Sequence, residues 1–218
     1  MRSNTSMAVA DQGFTVVDLP PISPAVLESF HGCATVERTG TVTWYHRALR
    51  FHLTWTADDD WFYELAGPPR RGSVVRFRDV DFTYLLRAVL GHLWLDVSAD
   101  WLIELNQIRT EVTAGGSGPV LPPGRRAGGA EMVMIAVARR EGLAGGGVRL
   151  HAPGEQKTGR RAAIAPGQAM LITRPGLTCD LDTGHAVEDG GGSQDTLVIA
   201  VSRAVARRTT LRGLRAAS

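Results

Sequence analysis

The carboxyl-terminal half of the chain consists of short strand-like segments separated by turns, and this pattern constrains the fold most. The segment 101–112 alternates polar and apolar residues, 130–138 is apolar on both faces, and 195–203 is rich in β-branched residues. The segment 162–181 holds a Pro-Gly turn between strand-like runs. Several short strands at this spacing predict a small β-sandwich or barrel.

Helices are predicted in the amino-terminal half. In the segment 23–30, Ser23 is placed to cap a helix whose first position is Pro24. The segment 80–97 carries apolar residues at helical spacing behind Asp81, which predicts a longer helix with one apolar face. We therefore expect helices packed against one sheet.

Further strands are predicted ahead of the long helix, at 13–19, 41–55 and 61–65, where β-branched and aromatic residues are concentrated. Within 41–55, His46 and Arg47 are expected to form a break between two strands. Together with the carboxyl-terminal half, these segments predict an α+β fold that is mainly β.

Composition limits the class of protein. Apolar residues at 44% and charged residues at 21% are ordinary globular values, and no apolar run approaches the roughly 20 residues that cross a bilayer. The net charge is only +2, and Cys33 and Cys179 are too few for a disulfide framework. No signal peptide is evident. We expect one cytoplasmic domain over 13–204, between a flexible 1–12 and a basic tail at 205–218, that binds neither nucleic acid nor membrane.

Five segments follow one another in an order that points to a known family: "LNQIRTEV", "PPGRRAGG", "EMVMIAVARREGLAGGGVRL", "APGQAMLITRPGLTCDL" and "QDTLVIAV". This order resembles the core of the bacterial iron(II)- and 2-oxoglutarate-dependent dioxygenases that include isoleucine dioxygenase-type amino-acid hydroxylases. The likeness spans 101–201. It implies a double-stranded β-helix, the jelly-roll or cupin-like core, with a few flanking helices.

The functional positions of that family are occupied by other residue types here. Carried over by the resemblance, the proximal His falls on Arg126, the metal-binding Asp on Gly128, the distal His on Cys179, and the cosubstrate-binding Arg on Gln194. A guanidinium has no lone pair for a metal, and glycine has no ligating side chain. No histidine of the chain is followed two residues later by Asp or Glu. We therefore predict no metal and no cofactor.

Three residues are candidates for catalysis: Cys179, Arg126 and Glu131. The resemblance implies that Arg126 and Cys179 approach one cavity, where a guanidinium lowers the pKa of a thiol and favours the nucleophilic thiolate. Glu131 is a candidate general base beside the cavity. The alternatives are an inert buried thiol, arginines that extend into water, and an ion pair between Glu131 and a neighbouring arginine.

Five polar residues are assigned to substrate binding: Arg125, Gln107, Arg109, Gln194 and Asp195. Gln107 and Arg109 lie two apart on one strand and so share a face, which either lines the cavity or forms part of a solvated sheet. The alternative interpretation of Asp195 is a structural hydrogen-bond acceptor at the start of a strand. His185 and Glu188, in a Gly-rich stretch, are the alternative candidates for a relocated metal site.

The predicted function is a metal-independent, non-oxidative step on an amino-acid-derived small molecule that carries a carboxylate, such as a cyclisation, elimination, isomerisation or condensation in specialised biosynthesis. One alternative is a noncatalytic protein that binds a ligand or a partner. A second alternative is a 2-oxoglutarate-dependent amino-acid hydroxylase with relocated metal ligands. The sequence leaves the oligomeric state open, a homodimer included.

Overall fold

A computed structural model describes residues 13–55, 61–65, 95–122, 130–151, 159–174, 177–187 and 189–204. Within these ranges the protein is mainly β, with one short helix, α1 (Pro24–Ser29), that runs into a 3-10 turn (Phe30–Gly32). No helix in this part of the chain has the length and apolar character to span a membrane.

The strands of the described ranges are β1 (Phe14–Asp18), β2 (Ala34–Thr39), β3 (Val42–Trp55), β4 (Trp61–Leu65), β5 (Trp101–Val112), β6 (Ser117–Pro119), β7 (Met132–Glu141), β8 (Leu143–Gly145), β9 (Val148–His151), β10 (Arg160–Ala162), β11 (Gln168–Ile172), β12 (Thr178–Leu181), β13 (Thr183–Ala186) and β14 (Gly192–Arg203).

These strands form a large antiparallel sheet and two small ones. The large sheet has the order β1-β11-β7-β14-β5-β3-β2, with β4 paired to β3. Its centre is the β14–β5 pair, which is in register over all 12 residues of both strands. The small sheets have the orders β10-β9-β12 and β6-β13-β8. This arrangement is the mainly β jelly roll that the sequence predicted.

One face of the large sheet packs against α1, and we call it the outer face. Because successive side chains of a strand point to opposite faces, every second residue of β5 belongs to it. The buried residues of this cluster include Val26, Phe30, Leu49, Leu53, Trp101, Ile103, Leu105, Leu197, Ile199 and Val201. The outer face is therefore a buried layer beneath α1.

The opposite, inner face of the large sheet turns toward the two small sheets. We call the space between the large sheet and the small sheets the barrel interior. One apolar cluster joins β7 and β11 to β9, with Val133, Ile135, Val137, Val148, Leu150 and Met170 among its members. A second joins β3 and β5 to β8, with Val42, Trp44, Ile108, Val112, Val120 and Leu143. These two clusters supply apolar side chains to the barrel interior.

The start of α1 is as the sequence predicted. The Ser23 Oγ accepts a hydrogen bond of 3.3 Å from the backbone N–H of Val26, and Pro24 occupies the first helical position. The prediction for 80–97 lies outside the described residues except at 95–97, which are not helical.

The predicted break at His46 and Arg47 is wrong, because β3 is one continuous strand of 14 residues. The reason is its partner: β5 pairs with β3 from Val42 to Leu53 and holds it extended through both residues. The His46 Nε2 lies 3.0 Å from the Asn106 Oδ1 of β5. Polar side chains at this point are hydrogen-bonded across the sheet and do not interrupt it.

We expect Phe30→Ala to lower the free energy of unfolding by about 3–5 kcal/mol, because it empties the space that a fully buried ring fills beneath α1. Val187→Ala is the control, since that side chain is 58% exposed and its loss costs within about 0.5 kcal/mol. Urea unfolding followed by circular dichroism measures both. Equal effects of the two changes would contradict the packing described here.

Candidate functional site

A polar group lies on the inner face of the large sheet, among the apolar clusters of the barrel interior. Arg140 of β7 faces Gln194 of β14 across the sheet, and its Nε donates a hydrogen bond of 2.7 Å to the Gln194 Oε1. Its Nη2 donates to the Ile164 carbonyl at 3.2 Å. The Gln194 Nε2 in turn donates to the Thr196 Oγ1 at 3.0 Å. We call this group the Arg140–Gln194 pair.

The charge of Arg140 meets only neutral partners in the part of the chain that the structure describes. Both acceptors of its hydrogen bonds are neutral oxygens, and no ion pair among the described residues includes it. Burial lowers the pKa of Arg140, because the charged form loses hydration, yet a guanidinium remains protonated near neutral pH. A half-buried cation in this setting favours an anionic ligand.

A glycine lets the backbone come close to the Arg140–Gln194 pair. Gly146 has a φ of +70°, and a Cβ there would lie 2.9 Å from the Val120 Cγ1 and 3.3 Å from the Gln194 Oε1. Any other residue at this position would be strained and would crowd the amide. The backbone thus approaches the pair closely on this side.

Cys179 also belongs to the barrel interior. It lies on β12 opposite Leu150 of β9, and both side chains pack in the same interior cluster. The predicted partner Arg126 lies outside the described residues, as do Arg125 and Gly128. A chemical role for Cys179 stays a prediction.

Three of the residues assigned to substrate binding lie on the outer face. Gln107 donates from its Nε2 to the Ser29 Oγ at 2.6 Å and accepts from the Arg47 Nη1 at 3.4 Å. Arg109 binds Asp195 at 3.0 Å. The face that Gln107 and Arg109 share therefore does not line the barrel interior, because the β5–β14 register gives the inner positions to their neighbours. Of the four assigned residues that the structure describes, only Gln194 lies in the interior.

Asp195 is an almost completely buried acid of the outer face, at 1% exposure. Burial raises its pKa, while the guanidinium groups of Arg109 and Arg139 act in the opposite direction. Arg139 approaches the Asp195 Oδ2 to 2.8 Å. The structure thus places Asp195 as an acceptor in an ion-pair cluster between three strands.

Glu131 and His185 lie apart from this cluster. The Glu131 carboxylate is 3.2 Å from the Arg203 Nε, so the structure favours the ion-pair interpretation, and the general-base role stays a prediction. His185 is exposed on β13, and Glu188 lies outside the described residues. Among the residues that are described, no three His, Cys, Asp or Glu side chains lie together where a metal could bind.

The donor set that the resemblance implies does not fit iron(II). A non-haem iron of this class takes two imidazoles and a carboxylate on one face. At those positions the chain has a guanidinium at Arg126, a hydrogen atom at Gly128 and one thiol at Cys179. Only the thiol can donate to a metal, so we derive no step through iron.

The comparisons with known proteins agree with the jelly-roll fold and define the class. The model of the 2OG-Fe dioxygenase family matches residues 76–200, which is more than half of the chain. This chain belongs to the 2OG-Fe dioxygenase family. A search of curated proteins found no match.

Solved structures share the fold at low sequence identity. IDO from Bacillus thuringiensis is 13% identical, with 92% of this chain and 98% of that chain covered and a TM-score of 0.65. The Fe(II)/α-ketoglutarate-dependent dioxygenase TqaL is 13% identical, with 92% and 86% covered and a TM-score of 0.65. A bsmA homologue from Methylobium petroleophilum PM1 is 16% identical, with 91% of each chain covered and a TM-score of 0.57.

Sequence reasoning missed Arg140. The signal was present in the adjacent Arg139 and Arg140 at the end of an apolar strand, but regular alternation from Val133, Ile135 and Val137 points Arg139 inward. In the structure Arg140 points inward and Arg139 points outward. The cause is an irregularity between Asp195 and Thr196 in the β14–β7 pairing, which no sequence pattern marked.

We expect iodoacetamide to label Cys179 faster than Cys33 near neutral pH. Cys33 is buried, and burial raises the pKa of its thiol to about 11, so little thiolate forms there. Mass spectrometry of the single-cysteine variants Cys33→Ser and Cys179→Ser measures each rate, and Cys33 should gain rate as the pH approaches 11. Faster labelling of Cys33 at neutral pH would contradict its described environment.

Proposed function

We propose that this family member works without iron, binds a small amino-acid-derived molecule through its carboxylate, and catalyses a non-oxidative step on it. The observation that carries the proposal is Arg140, a cation in the barrel interior whose hydrogen-bond acceptors there, Gln194 and the Ile164 carbonyl, are neutral. A carboxylate supplies the charge that these neutral oxygens lack.

The geometry of Arg140 suits a carboxylate. A guanidinium has five N–H donors in a planar fork, and the described residues engage one on Nε and one on Nη2. The remaining donors match the two oxygens of a carboxylate, as in bidentate arginine–carboxylate pairs. Gln194 fixes the plane of the fork from one side, and Ile164 anchors it from another.

The proposed reaction class rests on Cys179 of the interior and, through the family resemblance, on Arg126. Cyclisation, elimination, isomerisation and condensation need proton transfer or a nucleophile but no oxidant, so a fold without iron ligands can support them. Cys179 is the candidate base or nucleophile, and Arg126 is the cation proposed to favour its thiolate. Arg140 would orient the substrate toward that thiol by holding its carboxylate.

Noncatalytic ligand binding is the second candidate function, and the position of Glu131 favours it. The carboxylate of Glu131 pairs with Arg203, so it is engaged away from the role of general base. Binding through Arg140 is common to both candidates, and turnover of the bound molecule distinguishes them.

We expect Arg140→Gln to weaken the binding of a carboxylate ligand by about 1.5–3 kcal/mol, the usual value of a hydrogen bond to a charged group. Arg50→Gln is the matched control, because it removes the same charge from an exposed pair with Glu104. Calorimetry with free amino acids, N-acyl amino acids and succinate as probes measures the affinities. Equal affinities of wild type and Arg140→Gln for every probe that binds would contradict the proposal.

We also expect less than one equivalent of iron after anaerobic loading with Fe(II) and gel filtration, measured by elemental analysis. The physical reason is the donor set of Arg126, Gly128 and Cys179, which offers one thiol and no imidazole or carboxylate. Retention of one equivalent, or saturable 2-oxoglutarate binding below millimolar concentration that needs Fe(II), would instead favour the relocated-ligand hydroxylase.

A further inference from the structure

Arg139 and Arg140 are adjacent in sequence but point to opposite faces of the large sheet. Arg139 binds Asp195 on the outer face, and Arg140 binds Gln194 on the inner face. Two adjacent residues of β7 thus bind two adjacent residues of β14, with one contact on each face of the sheet. Which arginine enters the barrel interior depends on the local register of β7.

The register of β7 changes immediately before these arginines. Thr196 of β14 lies opposite Val137, whereas Asp195 lies opposite Arg139, so Ala138 is an extra residue on β7. An extra residue of this kind is a β-bulge, which resets the alternation of side chains. Ala138 packs against the outer cluster, so it and the following Arg139 both face outward.

Without the bulge the two arginines would exchange faces. Val133, Ile135 and Val137 point into the barrel interior, and an uninterrupted strand would turn Arg139 inward next. The bulge leaves one residue of β7 without a partner on β14. Some other interaction must therefore stabilise the bulged register over the regular one.

Asp195 supplies that interaction. Its Oδ2 accepts from the Arg139 Nε at 2.9 Å, and its two oxygens lie 3.0 and 3.2 Å from the Arg109 Nη1. A carboxylate at 1% exposure is strongly disfavoured unless cations pair with it. The outward position of Arg139 provides the second cation.

We propose that Asp195 is a positioning residue, which binds Arg139 on the outer face, holds the bulge at Ala138 and thereby selects Arg140 as the arginine that enters the barrel interior. Asp195 itself lies on the outer face and does not line the interior. The selection of Arg140 stands on the geometry alone, and only its consequence for a carboxylate ligand rests on the proposed function.

The test follows the Nε–H of Arg140 by NMR hydrogen exchange, with its signal assigned from its loss in Arg140→Gln. In the wild type this proton is hydrogen-bonded to Gln194 and should exchange slowly. In Asp195→Asn we expect its exchange to accelerate by roughly tenfold or more, because the bulge loses its partner. An exchange rate equal to that of the wild type would overturn the proposal.

A control and a rescue separate positioning from general stability. Leu197→Ala removes a buried residue from the same face of β14 without touching Arg139, so it should lower the melting temperature and leave the Arg140 signal slow. Asp195→Glu keeps a carboxylate and should restore part of the protection. Acceleration of equal size in Leu197→Ala, or no recovery in Asp195→Glu, would overturn the proposal.

A second variant covers a failure of Asp195→Asn to fold. Arg139→Gln removes the ion pair between β7 and Asp195, while Asp195 keeps its ion pair with Arg109. We expect the same accelerated exchange at the Arg140 Nε–H. Unchanged exchange in that variant would overturn the proposal. Carboxylate binding is measured in parallel: wild type that binds no probe counts against the proposed function, whereas the exchange data judge the role of Asp195 separately.

Discussion

The buried carboxylate of Asp195 between two arginines is the interaction on which the rest of the central sheet depends. Arg109 comes from β5 and Arg139 from β7, so one side chain of β14 connects the three central strands. Burial works against the charged carboxylate, and each guanidinium works for it, which couples the position of both neighbours to that of Asp195. The register of β7 decides which face each of its side chains points to. This contact therefore determines which of Arg139 and Arg140 reaches the barrel interior.

The fold and the chemical positions are separable in this family member. Apolar clusters on both faces and the outer ion pairs stabilise the jelly roll. A fold held in this way can carry different chemistry through different side chains. Among the described residues, the interior has the guanidinium of Arg140 beside the neutral amide of Gln194.

Sequence patterns predicted what repeats along a strand and missed what depends on a neighbouring strand. Alternation and β-propensity gave β5, and the Ser23–Pro24 signal gave the start of α1, because both are local. The continuity of β3 through His46 comes from its pairing with β5, and no local signal carries that. The inward direction of Arg140 needs one extra residue at Ala138, which propensity does not mark. The family resemblance pointed to Gln194 but could not reveal its contact with Arg140.

The two thiols of the chain show how the two faces divide the chemistry. Cys33 is buried near Arg47 and Asp195, whose charges shift the pKa of its thiol in opposite directions. Burial outweighs the effect of the arginine, so this pKa rises to about 11. Its thiolate is thus scarce at neutral pH despite the arginine beside it. Cys179 lies in the interior with Arg140, on the other side of the sheet. The large sheet therefore separates Cys33 from the space in which Arg140 and Cys179 lie.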